Sequence, residues 1–150
     1  MTTDNKSTIL NLFKEVLENK ITVLRQQIES LMLDAQNDAK GSAGDKHETA
    51  LAMMHLEQEK LNQKLSEALE QQNILKRIKD APHQTVASGS LVETSKGWFY
   101  VCTALPVIQY ENKQIFAVSP QAPIGKLLLG KNAGSSVTFN GTQFDILNVV

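Results

Sequence analysis

The stretch Gly41-Ser-Ala-Gly-Asp-Lys-His-Glu-Thr-Ala50 separates two long segments that both have helical periodicity. Gly41 and Gly44 are the only glycines before position 89. Because glycine is unfavourable inside a helix, the stretch predicts a break between two helices. Two helices of matched length with a short connection form an antiparallel hairpin. We therefore expect residues 38–48 to be the tip of a long helical hairpin.

The first helical segment follows Ser7, which is a candidate N-cap, and the polar residues 1–6 before it are expected to fray. Its apolar residues recur three and four positions apart, which is the spacing of a coiled-coil seam. No glycine or proline interrupts the pattern, and it ends at Asn37-Asp38. The seam consists of Leu10, Phe13, Leu17, Ile21, Leu24, Ile28, Leu31 and Ala35.

The second helical segment is expected to run from near Asp45 to about Lys79. Pro82 ends it, since proline disfavours helix at the residue before it. Two glutamines, Gln58 and Gln72, occupy seam positions, where polar residues weaken packing but can determine register. The apolar seam residues are Met54, Leu61, Leu65, Ala68, Leu75 and Ile78.

The rest of the chain changes from helical to strand periodicity. Residues 81–90 are predicted to be a linker by composition, and an apolar period of two follows. This pattern predicts a small, mostly antiparallel sheet of about five strands with one short helix at 124–129. The expected strands are 91–94, 98–104, 114–118, 136–139 and 142–150, with an irregular segment at 105–112.

Two details support this reading of the second half. Asn140-Gly141 favours a tight hairpin between the last two strands. Pro106 would interrupt a continuing strand ladder. The fold class is therefore α+β: a hairpin domain at residues 1–80, a linker at 81–90 and a sheet domain at 91–150.

Composition excludes several classes of protein. The net charge of -1 argues against a general nucleic-acid binder. No apolar run is long enough to span a bilayer, and no signal peptide opens the chain, so we expect a cytoplasmic protein. Cys102 is the single cysteine, which excludes an internal disulfide. His47, His55 and His83 do not have the spacing of a zinc site.

Asp45 and Glu48 are the residues at the tip that could carry chemistry. One interpretation is a capping box, in which an N-cap side chain and a glutamate three positions later satisfy free backbone N–H groups. The other uses the same geometry, because carboxylates three residues apart share one helical face and can hold Mg²⁺. A hairpin tip has no pocket that excludes water. The metal interpretation therefore requires insertion into a partner's active site.

Two motifs resemble the Gre family of bacterial transcript-cleavage factors. Gly44-Asp45-x-x-Glu48-x-Ala50 is similar to that family's Gly-Asp-x-x-Glu-Asn-Ala. The segment Val118-Ser-Pro-Gln-Ala-Pro-Ile-Gly-Lys-Leu-Leu-Leu-Gly-Lys131 resembles its Ser-Pro-hydrophobic-small-basic-x-Leu-hydrophobic-Gly-Lys segment. Together with the helical segments, these motifs extend the resemblance over nearly the whole chain.

The resemblance implies an N-terminal antiparallel coiled coil and a C-terminal domain of FKBP-like fold. It implies an elongation factor that binds RNA polymerase and inserts the coiled coil into its secondary channel, and not an enzyme in its own right. There Asp45 and Glu48 would help hold a second Mg²⁺ at the polymerase active site and so stimulate cleavage of backtracked RNA. Contact with nascent RNA would be indirect, Lys60 and Lys64 being candidates for it. We expect no membrane partner, no sequence-specific DNA binding and no metal at the tip of the free protein.

The sequence departs from the Gre pattern at Lys46, Thr49, Leu51 and Ala52, where the family has hydrophobic, asparagine, acidic and aromatic residues. Ala122 stands where the family usually has serine. These departures leave open a channel-binding regulator without cleavage activity. Two other classes also stay open: a coiled-coil adaptor or dimerisation module, and a prolyl isomerase in the C-terminal half.

Overall fold

The computed structural model describes residues 1–39 and 45–150, and side chains within 1–37 and 48–150. Two long helices precede a six-stranded mixed sheet and a short helix, which confirms the α+β class. None of the helices in the described part is long and apolar enough to cross a membrane. The elements are α1 (Thr3–Ala39), α2 (Asp45–Arg77), β1 (Leu91–Thr94), β2 (Gly97–Val101), β3 (Leu105–Tyr110), β4 (Lys113–Val118), α3 (Pro123–Leu128), β5 (Ser136–Phe139) and β6 (Thr142–Val149).

The chain divides into two compact units that do not follow the order of the sequence. One unit, here called the hairpin unit, is Val16–Gln72. The other, the sheet unit, combines Met1–Glu15 with Asn73–Val150. The boundaries expected at 80 and 90 stay predictions. The start of α1 and the end of α2 therefore belong to the same compact unit as the sheet.

In the hairpin unit, α1 and α2 pack along the heptad seam. Residues 23–34 of α1 share a groove with residues 57–64 of α2, and residues 31–35 share one with residues 50–57. Contacts that move forward along α1 therefore move backward along α2, so the helices are antiparallel. The seam positions buried in this unit are Leu17, Ile21, Leu24, Leu61 and Ala68.

The first helix begins earlier than the sequence analysis predicted. The N–H of Thr2 donates to Asn5 Oδ1 at 2.9 Å, and the N–H of Asn5 donates back to Thr2 Oγ1 at 3.4 Å. This reciprocal arrangement is a capping box built with asparagine. The prediction of a frayed start with Ser7 as N-cap is therefore wrong. The Ser7 hydroxyl instead donates to the Asp80 carboxylate.

The sheet has the order β3-β4-β2-β1-β6-β5, and all its pairs are antiparallel except β2 with β4. The prediction of an irregular segment at 105–112 is wrong, because β3 occupies most of it. Proline is tolerated there since β3 is an edge strand, and the register shifts between Leu105 and Ile108, beside Pro106. The Asn140-Gly141 hairpin is confirmed, with φ of 50° and 77°.

Both faces of the sheet are covered within the sheet unit. On one face Tyr100 of β2 packs against Phe13 of α1, with ring centroids 5.8 Å apart. The neighbouring residue Val101 points to the opposite face. There it joins the apolar cluster under α3 that includes Leu128 and Ile146.

The segment predicted to be a linker contributes to this core. Val86 is buried in the cluster under α3. Its N–H donates to the Lys131 carbonyl at 2.9 Å, and its own carbonyl accepts from the Gly130 N–H at 2.9 Å. Val86 is therefore held by main-chain hydrogen bonds to the residues that follow α3, and Gly89 and Ser90 by main-chain hydrogen bonds to Val101.

Candidate functional site

The acidic pair lies in the first turn of α2. The helix is assigned from Asp45, so the three-residue spacing to Glu48 falls on helical backbone. The Glu48 side chain is exposed. The side chains of Asp45, Lys46 and His47 lie outside the described ones. The predicted capping bond and the predicted pairing of the two carboxylates therefore stay predictions.

The residues of α2 from Ala50 to Met54 are all apolar. Leu51 is half-buried, and Ala50 and Ala52 are exposed. Further along, Met53 is 67% exposed, and in α1 Leu33 is 54% exposed. This end of the hairpin unit therefore presents large apolar side chains to solvent from both helices.

Two grooves run between the helices of the hairpin unit. The one nearer Glu48 has a volume of about 360 Å³ and is lined by Leu31, Asp34, Ala35, Ala50, Met53, Met54 and Glu57. The groove further from Glu48 has a volume of about 450 Å³, and Lys64 is among the residues that line it. Lys64 is one of the two basic residues that the sequence analysis names as candidates for contact with RNA. Lys60 is exposed.

Asp34 and Glu57 were missed by sequence reasoning, although both line both grooves. They come from different helices and are more than twenty positions apart in the chain. Helical spacing relates only residues within one helix. The pairing of facing positions in the hairpin is therefore the only signal that could have brought these two carboxylates together.

The start of α2 offers some, but not all, of the oxygen ligands that a hard divalent cation needs. Mg²⁺ prefers oxygen ligands and keeps several waters, so one or two carboxylates from one protein suffice when others complete the shell. Glu48 supplies an accessible carboxylate of this kind, and Asp45 would supply the second. Among the side chains the structure describes, no group of three or more His, Cys, Asp or Glu residues could hold a metal ion.

The second Gre-like motif forms the turn before α3 and α3 itself. Ala122 is the N-cap of α3 and makes no side-chain capping bond, because alanine has no polar side-chain atom. The turn is instead held by Ser119, whose Oγ accepts the Gln121 N–H at 3.2 Å. Gly125 is required by a close approach, since a Cβ there would lie 1.9 Å from the Ser119 carbonyl oxygen.

Comparison with known proteins gives weak matches among solved structures. No family model and no curated protein matches the chain. The GreA factor homolog 1 (Gfh1) protein of Thermus thermophilus is similar at 16% identity and a TM-score of 0.35, over 91% of this chain and 94% of that one. A second structure, described as the transcription factor Gfh1, is similar at 17% identity and a TM-score of 0.36, over 91% and 92%. Likeness of this degree does not assign the chain to a family.

Proposed function

We propose that this chain is a transcription elongation factor that binds RNA polymerase and inserts the tip of its helical hairpin into the secondary channel. The observation that carries the proposal is that α2, the returning helix of the hairpin, is described from Asp45, with Glu48 exposed in its first turn. The Gre-like segment 118–131, which forms α3 and its flanking turns, supports it.

The chain acts here as an accessory factor and not as an enzyme. Asp45 and Glu48 would be delivered as oxygen ligands to an active site that the polymerase supplies. Mg²⁺ held between them and the polymerase would supply two-metal assistance to RNA hydrolysis. The chain's own contribution would be to carry the two carboxylates three positions apart on one helix. Its place of action is the cytoplasm, with nascent RNA as an indirect partner.

A second candidate is a channel-binding regulator that does not stimulate cleavage. The neighbourhood of the acidic pair favours it, because Leu51 and Ala52 bring no oxygen donors where the Gre family has an acidic residue. A tip with fewer carboxylates would still occupy the channel while binding the second metal weakly. The two candidates share the partner and differ in the outcome for backtracked RNA.

The test is capture of core RNA polymerase by the full chain, followed by a cleavage assay on a stalled, backtracked complex. The variant Asp45→Asn/Glu48→Gln removes both carboxylates while keeping side-chain size. A matched control is Glu67→Gln/Glu70→Gln, an exposed pair with the same spacing and charge change on the same helix. Wild type and control should bind and stimulate cleavage, whereas the tip variant should bind without stimulating it.

Other outcomes separate the alternatives. Polymerase binding by wild type without cleavage supports the regulator. Cleavage by the tip variant at the wild-type rate refutes the metal role. Loss of helicity in the tip variant by circular dichroism indicates the cap instead. A stable dimer by light scattering that fails to capture polymerase favours the adaptor, and proline isomerisation above background would favour the isomerase.

A further inference from the structure

A cavity of about 450 Å³ lies in the sheet unit, where α2 ends and the chain turns towards the sheet. Its volume is within the range of small-molecule sites. The walls combine apolar and cationic side chains, and none of the lining residues is acidic. They are Ile74, Arg77, Ile78, Lys79, Ala81, His83 and Ser88.

A buried ammonium group stands behind this cavity. Lys6 of α1 is 2% exposed, and its Nζ donates to the main-chain oxygens of Ala81 and of Val150, the latter at 3.1 Å. Burial lowers the pKa of Lys6, while the nearby Asp80 carboxylate acts in the opposite direction. Ala81 and the residue that the ammonium group faces next, His83, both line the cavity, so the buried charge lies directly beside its wall.

His83 connects the ammonium group to the cavity. Its Nδ1 lies 3.4 Å from Lys6 Nζ. An ammonium group can only donate, so Nδ1 must accept and the imidazole proton is assigned to Nε2. Burial, and then the Lys6 charge, lower the pKa of His83, which keeps the ring neutral at pH 7. A neutral ring with Nε2–H is a hydrogen-bond donor that needs no added charge.

We propose that this cavity binds the phosphate group of a small phosphate ester whose apolar body rests on Ile74, Ile78 and Ala81. Arg77 and Lys79 supply charge-assisted donors to the phosphate oxygens. The Ser88 hydroxyl supplies one more. Several convergent donors match the oxygens of a phosphate better than the two of a carboxylate.

The simpler interpretation is that Arg77 and Lys79 only offset the negative end of the α2 dipole. That role explains basic residues at a helix end, and Lys76 fulfils it equally. It does not explain why Arg77 and Lys79 share a cavity with apolar walls and a histidine whose Nδ1 faces a buried lysine. The Asp80 carboxylate interacts with the Lys6 charge, accepts from the Ser7 hydroxyl and does not line the cavity.

The test is titration calorimetry of the full chain, in low-salt buffer without phosphate, using inorganic phosphate and phenyl phosphate as probes. Both should bind saturably, phenyl phosphate more tightly because of its ring. Arg77→Gln and Lys79→Gln should each weaken binding about tenfold, as expected for one lost charge-assisted hydrogen bond. The matched control is Lys76→Gln, an exposed cation of the same helical turn that does not line the cavity.

The Lys76→Gln control distinguishes a specific phosphate site in the cavity from general attraction of anions to the basic end of α2. Unchanged binding in Lys76→Gln supports the site, and an equal loss in all three variants overturns it. Absence of saturable binding by either probe overturns it as well. Lys79 lies beyond the end of α2, so its variant keeps the test valid if Arg77→Gln loses helicity. The proposal is independent of polymerase binding, because its residues belong to the sheet unit and the assay contains no polymerase.

Discussion

Lys6 shows how tertiary contacts can order the polar start of a helix. The polar start Met1-Thr-Thr-Asp-Asn-Lys reads as a frayed end, yet the structure buries Lys6 and gives it main-chain acceptors. Sequence reasoning could not see this, because the acceptors come from Ala81 and Val150, far along the chain. Helix propensity describes only how neighbouring residues in the sequence favour or disfavour a helix. A buried ammonium group is stabilised by groups that only the tertiary fold brings together.

Replacing Lys6 by methionine should destabilise the sheet unit by about 1–3 kcal/mol, because the Ala81 oxygen loses its ammonium donor and the Val150 oxygen keeps only the Leu91 N–H. Urea unfolding followed by Trp98 fluorescence measures the change. Lys20→Met, at an exposed position of the same helix, is the control and should unfold at the wild-type midpoint. A Lys6→Met variant as stable as wild type would mean that desolvating the charge costs as much as its hydrogen bonds contribute.

Cys102 should make stability depend on alkaline pH. Burial raises the pKa of its thiol from 9.0 to about 12. Above pH 9 the unfolded chain therefore loses this proton while the folded chain keeps it, so the free energy of unfolding falls as pH rises. The slope for one such group approaches about 1.4 kcal/mol per pH unit.

Urea midpoints measured between neutral pH and about pH 10 should show this decline in wild type. The variant Cys102→Ala should show a shallower decline. The remaining slope belongs to groups such as Tyr100, whose pKa is also raised by burial. Equal slopes in the two proteins would show that the thiol ionises alike in both states.

At the scale of elements, the heptad pattern predicted the two helices and their buried seam well, because apolar residues at this spacing mark the face of a helix that packing buries. The pattern holds from Phe13 through Leu24, and these seam residues are buried. The pattern predicts burial less well at Ile28, Leu31 and Ala35, which are only half-buried. Periodicity identifies the face that can be buried, but how completely it is covered depends on the partner helix, where Gln58 occupies a seam position.

The seam predicts a clear contrast between two leucines of α1 in the hairpin unit. Leu24→Ala should cost about 2–5 kcal/mol, because it removes buried methyl groups and leaves a cavity. Leu33→Ala should change stability by less than about 0.5 kcal/mol, since that side chain is largely exposed. Thermal unfolding followed by circular dichroism at the helical band compares them. Similar losses in both variants would show that Leu33 is covered in solution.

Edge position explains the main error about the sheet. Pro106 argues against a strand only where its missing N–H would be needed in a ladder. The sequence does not reveal that β3 lies at the edge, because strand order depends on long-range pairing such as the parallel contact of β2 with β4. Local signals such as Asn140-Gly141 were reliable since the turn and its strands are neighbours in the chain.

The functional residues also divide into those that local sequence patterns reveal and those that only the fold reveals. The Asp45 and Glu48 pair could be proposed from spacing within one helical turn. The facing carboxylates Asp34 and Glu57, and the cavity with Arg77 and His83, could not, because they require the pairing of distant segments. Chemistry carried by a short motif is visible in a sequence, whereas chemistry assembled by packing is visible only in the fold.

At the scale of the whole molecule, the sheet unit depends on a segment from the opposite end of the chain. Ile9, Leu10 and Phe13 are buried, and Phe13 contacts Tyr100. A fragment of residues 73–150 would expose the sheet face that they cover. We therefore expect this fragment to be less stable than the same fragment with a peptide of residues 1–15 added.

Thermal unfolding of the fragment, followed by Trp98 fluorescence, should shift to higher temperature as the peptide concentration rises, since a ligand of the folded state stabilises it by mass action. A peptide with Phe13→Ala is the control and should give a much smaller shift, because Phe13 is fully buried against the sheet unit. No shift with either peptide would mean that residues 73–150 form a self-sufficient domain. That result would favour the predicted domain boundary near residue 80, with the start of α1 belonging to the hairpin domain alone.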